Sequence, residues 1–183
     1  MSNNQRLVYI ALLASQAVII GLVERMIPSP FFFTPGAKLG LANIITCMAL
    51  YTLPVKDTMK VIVIRLLLQT LLAGTVSTFL YSGMGALASF LGMLFVKHLP
   101  KVSIIGVSAT GAVLHNVGQL VIASLVANTF SVMLYLPVLS LIGILTGIAT
   151  GIAAHYLLHH VERLHYYMDL KTLEIDDMKE VRL

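Results

Sequence analysis

Hydrophobic runs of membrane length, following one another with few charges between them, constrain this chain more than any other feature. A bilayer core is about 30 Å thick, so a helix that crosses it needs roughly 20 apolar residues. Such stretches run from about Leu7 to Val23, Leu39 to Leu53, Thr58 to Leu80, Met84 to Val96, Val102 to Ala127 and Val132 to Leu158. Helix breakers and charges separate them: Glu24-Arg25 and Pro28-Ser29-Pro30, Pro54, Tyr81-Ser82-Gly83, Lys97-His98-Leu99-Pro100-Lys101 and Asn128-Thr129. Only 11% of the 183 residues are charged, against roughly 25% in an average soluble domain. That is too few to coat a water-facing surface, so a disordered chain and an ordinary soluble globule are both excluded. The single cysteine, Cys47, excludes a disulfide framework and a cysteine-based zinc site. Met1 to Arg6 is polar, and the run that follows is too long for a removable signal and has no small-residue cleavage site, so it is expected to be a true span. The expected architecture is an all-α integral membrane protein, a six-transmembrane-helix bundle over residues 1–162. A charged cytoplasmic tail over 163–183 is expected to be helical, with an apolar stripe from Leu164, Tyr167, Met168, Leu170, Leu173 and Met178.

Orientation follows from the placement of positive charge, since cytoplasmic loops are rich in Lys and Arg. With the N-terminus inside, the inner regions hold Arg6, Lys56, Lys60, Lys97, Lys101, Arg163, Lys171, Lys179 and Arg182, and the outer ones hold Arg25 and Lys38. An N-in, C-in, multi-pass protein of the cell membrane is expected. Small residues four apart, such as Gly143, Gly147 and Gly151, or Ala11 and Ser15, allow helix backbones to approach closely in lipid. They serve packing within the bundle or, on the first span, a docking face for another membrane protein.

Polar side chains within spans are costly unless they meet a partner or a cavity, and four groups stand out. Lys38, at the outer end of span two with Asn43 about one turn deeper, either snorkels to the interface or holds an anion at a helix N-terminus. Arg65 and Gln69 are four apart and share a face of span three. No acidic residue lies in the central part of any span, so Arg65 either snorkels inward or meets backbone carbonyls, Asn or a bound anion. His115, Asn116 and Gln119 lie near mid-membrane on span five, for hydrogen bonds between helices or for a substrate pocket. Tyr81 and Ser82, with Ser89 beyond them, would line the same outer vestibule. Together these predict an outward-opening cavity with a basic rim and an amide-rich floor, suited to a small anionic or strongly hydrogen-bonding molecule. The aromatic loop Phe31, Phe32 and Phe33 would cap it. His155, His159 and His160 read as a solvated or headgroup-facing cluster rather than a metal site, and no cofactor is implied.

The run Lys38-Leu39-Gly40-Leu41-Ala42-Asn43-Ile44, the Arg65…Gln69 face, Phe79-Leu80-Tyr81-Ser82 and His115-Asn116-Val117-Gly118-Gln119 resemble the Gx transporter family, also labelled heptaprenyl diphosphate synthase component I, over about Leu7 to Glu162. That family is similar to the substrate-binding S components of energy-coupling factor (ECF) transporters. The resemblance implies a capture subunit that takes a vitamin-like molecule, or a quinone or isoprenoid precursor, from outside. Its partners would be a transmembrane coupling subunit and two ATPases, with no nucleic acid involved. Ala11, Ala14, Ser15 and Ala17 would dock on the coupling subunit, and Val23 to Ala37 would gate the site. Trans-prenyltransferases hold diphosphate through magnesium on aspartate-rich motifs. Here there are four aspartates, Asp57, Asp169, Asp176 and Asp177, and only the last two are paired. The chain is therefore expected not to be an enzyme by itself. It also lacks a glycine-rich nucleotide-binding loop. The alternatives are a noncatalytic membrane partner of a prenyl diphosphate synthase in isoprenoid or quinone synthesis, and a scaffold with no ligand.

Overall fold

The computed structural model describes residues 3–26 and 40–180, and for 162–180 it describes the helical backbone alone. Six α-helices follow in order: α1 (Asn3–Met26), α2 (Asn43–Thr52), α3 (Val55–Ala73), α4 (Val76–Lys97), α5 (Ile104–Ala127) and α6 (Leu136–Glu180), with a 3₁₀ turn at Phe130–Tyr135 before α6. Among the described residues, α1, α4, α5 and the stretch Phe130–Val161 are long and apolar enough to cross a membrane. The protein is an all-α, multi-pass plasma-membrane protein. Helix α3 is long enough but carries Lys56, Asp57, Lys60 and Arg65. Helix α2 has 10 residues, about 15 Å at 1.5 Å each, half of a bilayer core.

The boundary between the third and fourth hydrophobic runs differs from expectation. The break falls at Gly74-Thr75, not at Tyr81-Ser82-Gly83, which lies inside α4. The reason is local. Thr75 caps α4: its hydroxyl accepts from the Thr78 N–H at 3.2 Å, and the Thr78 hydroxyl accepts from the Thr75 N–H at 2.7 Å. This reciprocal cap satisfies two donors that a helix start leaves open. Gly83 is an ordinary helix residue, and Tyr81 and Ser82 are buried a turn and a half into the helix.

Helix ends are tied in two sets, which fixes their antiparallel order. At one end, Asp57 is buried between Arg6 and Lys60, and the Tyr9 hydroxyl donates to Thr52 at 3.2 Å. There too, Lys97 donates to the Leu50 carbonyl at 2.6 Å, a cation closing the last turn of α2. At the other end, Arg25 donates to the carbonyls of Ala73 and, at 3.3 Å, of Gln69. The main apolar core lies in the half that holds Arg6 and Lys97, around Leu13, Leu50, Val61, Phe90, Met93, Val107 and Ala154. A smaller cluster, Leu120 and Leu139 with Val132, Met133 and Leu136, closes the far end of α5 and α6. The polar residues lie between.

The small residues sort cleanly. A Cβ on Gly147 would stand 2.5 Å from Ala109 Cα, and one on Gly151 would stand 2.8 Å from Ile105 Cα. Gly143, Gly147 and Gly151 therefore form the seam along which α6 lies against α5, backbone on backbone. On α1, Ala14 and Ala17 are buried within the bundle while Ala11 and Ser15 face outward.

Candidate functional site

Five helices converge on one polar cavity. It is lined by Glu24 of α1, Gly40 and Ala42 before α2, Asn43 of α2, Arg65, Leu66 and Gln69 of α3, Ser82 of α4 and His115 of α5. About 20 Å³ of it is open to the centre of a water molecule, room for roughly one water.

Arg65 does not snorkel. It sits ten residues into α3, about 15 Å along the helix, and is 3% exposed. Its Nη2 donates to Asn43 Oδ1 at 3.3 Å. Gln69, one turn on, donates from Nε2 to the Ala17 carbonyl at 2.9 Å. Gly21 makes that contact possible, because a side chain there would overlap the Gln69 amide. Gly40 holds a left-handed conformation, φ 84°, which glycine adopts without cost. Its N–H donates to Glu24 Oε1 at 2.5 Å, and its carbonyl accepts from the Asn43 N–H at 2.9 Å. His115 lies over Gly40 and Gly85, its Nε2 paired with Gln119 Nε2 at 2.7 Å. Arg65 Nε, Asn43 Nδ2 and Ser82 Oγ are buried with no hydrogen-bond partner among the described residues. Buried donors left in this state cost about 1–3 kcal/mol each, so the cavity is primed for an acceptor-rich guest.

Of the residues expected from the sequence to bind substrate, the structure brings Asn43, Arg65, Gln69, Ser82 and His115 to this cavity. Gln119 stands behind His115. Asn116 turns the other way and donates to the Leu139 carbonyl on α6 at 2.8 Å, beside Gly143. Tyr81 is buried but does not line the cavity. Lys38, Phe31, Phe32 and Phe33 lie outside the described residues, as does most of the expected gating loop.

Glu24 is the residue that the sequence reasoning missed. The centres of the spans hold no carboxylate for Arg65, whereas Glu24 lies in the last turn of α1 and is 5% exposed. The signal was present. The buried face of α1 runs Ile10, Leu13, Ala14, Ala17, Gly21, Glu24, the three-and-four spacing of a helix face turned inward, and Glu24 continues it.

The fold and the cavity define a class: a multi-pass membrane protein whose half-polar bundle encloses an arginine, two amides and a carboxylate. Comparison with protein families then places it. Residues 13–157 match the model of heptaprenyl diphosphate synthase component I, and the chain belongs to that family. Comparison with curated proteins found no match, and neither did comparison with solved structures. The family match corrects the transporter side of the earlier resemblance. The chain falls with a synthase component, not with Gx transporters or ECF S components. The capture-subunit reading goes with it, and the coupling subunit and ATPases expected on that reading lose their basis. The expectation that the chain is no enzyme is corrected by the same match, because the family is described as part of a synthase. Four aspartates with a single pair bear only on whether this chain alone holds a whole magnesium site. A component of a synthase need not carry every group of the reaction.

Proposed function

We propose that this chain is the membrane-embedded component of a prenyl diphosphate synthase, and that the Arg65 cavity takes the diphosphate end of a prenyl substrate. The observation that carries this reading is Arg65 itself: a buried guanidinium whose Nε has no partner among the described residues, beside Asn43 Nδ2 and Ser82 Oγ, which have none there either. A planar guanidinium matches phosphate oxygens two at a time, and a diphosphate offers acceptors for all three donors. The prenyl chain is as apolar as the lipid around the bundle, so a head group in the protein and a tail along the outward apolar faces satisfies both parts. With room for about one water, the cavity admits a head group only after opening. "Component" in the family description supports a second chain as partner.

In this reading the bundle crosses the membrane six times, N-in and C-in. The helix ends tied around Asp57 support the alternation of the first four helices, since they place the start of α1, the end of α2, the start of α3 and the end of α4 on one side. That side is also the one rich in Lys and Arg. Residues 163–183 would then lie in the cytoplasm.

The test is isothermal titration of a prenyl diphosphate and of inorganic pyrophosphate into the full chain in lipid nanodiscs. Arg65→Gln is expected to lose at least tenfold in affinity, since hydrogen bonds to charged groups contribute about 1.5–3 kcal/mol. Equal affinity in a folded Arg65→Gln protein would remove Arg65 from the site, and no binding by wild type would remove the ligand.

A further inference from the structure

Glu24 lines the cavity with Arg65, and one carboxylate, without the paired acids that hold magnesium, repels a diphosphate. It is the only acidic residue among the described residues that lines the cavity. We propose that Glu24 determines the site's affinity by holding the place of the ligand's anion. Its carboxylate is the counter-charge of Arg65 while the cavity is closed, and an incoming diphosphate must displace it. This inference rests on the reading of the cavity as a diphosphate site.

Three observations lead to it. First, a buried guanidinium without an opposite charge nearby is unstable, and Glu24 is the carboxylate that shares its cavity. Second, Glu24 Oε1 already accepts a hydrogen bond that a ligand oxygen would take, from the N–H of Gly40 at 2.5 Å. Gly40 is held at φ 84° with its N–H on the carboxylate, and a Cβ there would stand 3.0 Å from Asn43 Nδ2 and 3.1 Å from His115 Cδ2, so the carboxylate also holds the start of the α2 segment at the cavity. Third, the remaining space fits about one water, too little for a diphosphate and Glu24 together. The two are like charges in a water-poor site, where repulsion is strong. Glu24 is in the last turn of α1, and a ligand that takes over the Arg65 and Gly40 donors replaces the contacts that its carboxylate makes there.

The experiment compares wild type with Glu24→Gln, in which the amide oxygen still accepts from Gly40 and only the charge is lost. Inorganic pyrophosphate is titrated into each full chain in nanodiscs, and thermal unfolding is followed with and without it. Glu24→Gln is expected to bind about tenfold more tightly, the scale of one charge-assisted hydrogen bond no longer in competition. It is also expected to be less stable without ligand and to gain more from ligand than wild type does. The double variant Glu24→Gln/Arg65→Gln should lose that gain. Glu24→Asp, which withdraws the carboxylate by one methylene, should tighten binding by less and serves if Glu24→Gln fails to fold. Pyrophosphate that binds wild type and binds Glu24→Gln equally or more weakly would overturn the inference and leave the diphosphate site standing. No binding by either protein would overturn both. Binding by Glu24→Gln alone would support both.

Discussion

Gly147→Ala should unfold the protein more easily, and Gly83→Ala should not. Both glycines lie inside helices, so both substitutions gain the same helix propensity, up to about 1 kcal/mol. They differ in what the new methyl meets. At Gly147 it would lie 2.5 Å from Ala109 Cα, 3.0 Å from Ala112 Cβ and 3.1 Å from Ala109 N. Carbon atoms in good contact stand about 3.5–4.0 Å apart, so α5 and α6 must separate by about 1 Å, and the wall is backbone that cannot rotate away. Overfilling of this kind costs about 1–3 kcal/mol. Gly143 and Gly151 share the seam, and a gap of that size forfeits a quarter to a half of each contact's attraction. At Gly83 the new methyl would have nothing within 4 Å among the described residues. The expected difference between the variants is therefore about 1–3 kcal/mol, read as thermal or denaturant unfolding in one detergent. At roughly 2–4 °C per kcal/mol for a chain of this size, the melting curves separate by several degrees. Gly147→Ala melting together with Gly83→Ala would refute the backbone-on-backbone seam. A strongly destabilised Gly83→Ala would instead return Tyr81-Ser82-Gly83 to a turn.

Other outcomes follow from single contacts. Gln69→Leu loses its bond to the Ala17 carbonyl and should lower stability modestly, by about 0.6 kcal/mol on the scale of polar contacts between membrane helices; a loss above about 2 kcal/mol in the same unfolding assay would mean the amide does more than join α1 to α3. Lys97→Met removes the donor to the Leu50 carbonyl and should speed backbone hydrogen exchange in the last turn of α2; exchange that is unchanged there would deny the cap. Lys60, with Arg6, holds the Asp57 carboxyl below the usual carboxylate range. Its folded-state value is thus below the unfolded one, so its contribution is complete above about pH 4 and is lost as the pH falls through the folded value. Unfolding midpoints of wild type should therefore fall only in acid, and Asp57→Asn should lower stability at pH 7 and flatten that acid decline; an acid profile unchanged in Asp57→Asn would reject the linkage.

The hydrophobic runs made the helical bundle legible from the sequence, because lipid leaves a chain few ways to satisfy its backbone. Their ends were less legible. A break at Gly74-Thr75 and one at Ser82-Gly83 have similar composition, and what decides is the pair of threonine hydroxyls that cap α4. The polar residues were legible as a set because burial makes each one expensive. Which of them meet was not, since that depends on helix rotation. Asn116 and His115 are neighbours in sequence and about 100° apart around α5, so one reaches the cavity and the other reaches α6. Glu24 was passed over because it stands at a helix end, where a carboxylate ordinarily reaches water. The function was the least legible, because a polar pocket in a membrane bundle serves many ligands, and the family match rather than the spacing of residues decides between capture and synthesis.

The cavity lies on a mechanical seam. On one side, α4, α5 and α6 are packed most extensively, with Gly147 and Gly151 of α6 against the α5 backbone and Gly118 of α5 against the backbone of Met84 and Gly85. Parting those helices would break many close contacts at once. On the other side, polar contacts tie the Glu24 end of α1 to its neighbours, among the described residues: Gln69 to Ala17, Arg25 to Ala73 and Gln69, and Gly40 to Glu24. The apolar core lies in the opposite half, around Leu50 and Val61. A ligand that enters between the helices therefore breaks fewer close backbone contacts beside the Glu24 end of α1 and the Gly40 turn than between α4, α5 and α6. The bond that closes this route is the one Glu24 makes. The residue proposed as the counter-charge of Arg65 thus also ties α1 to the Gly40 turn, and a single substitution there should change both ligand affinity and the ease of opening.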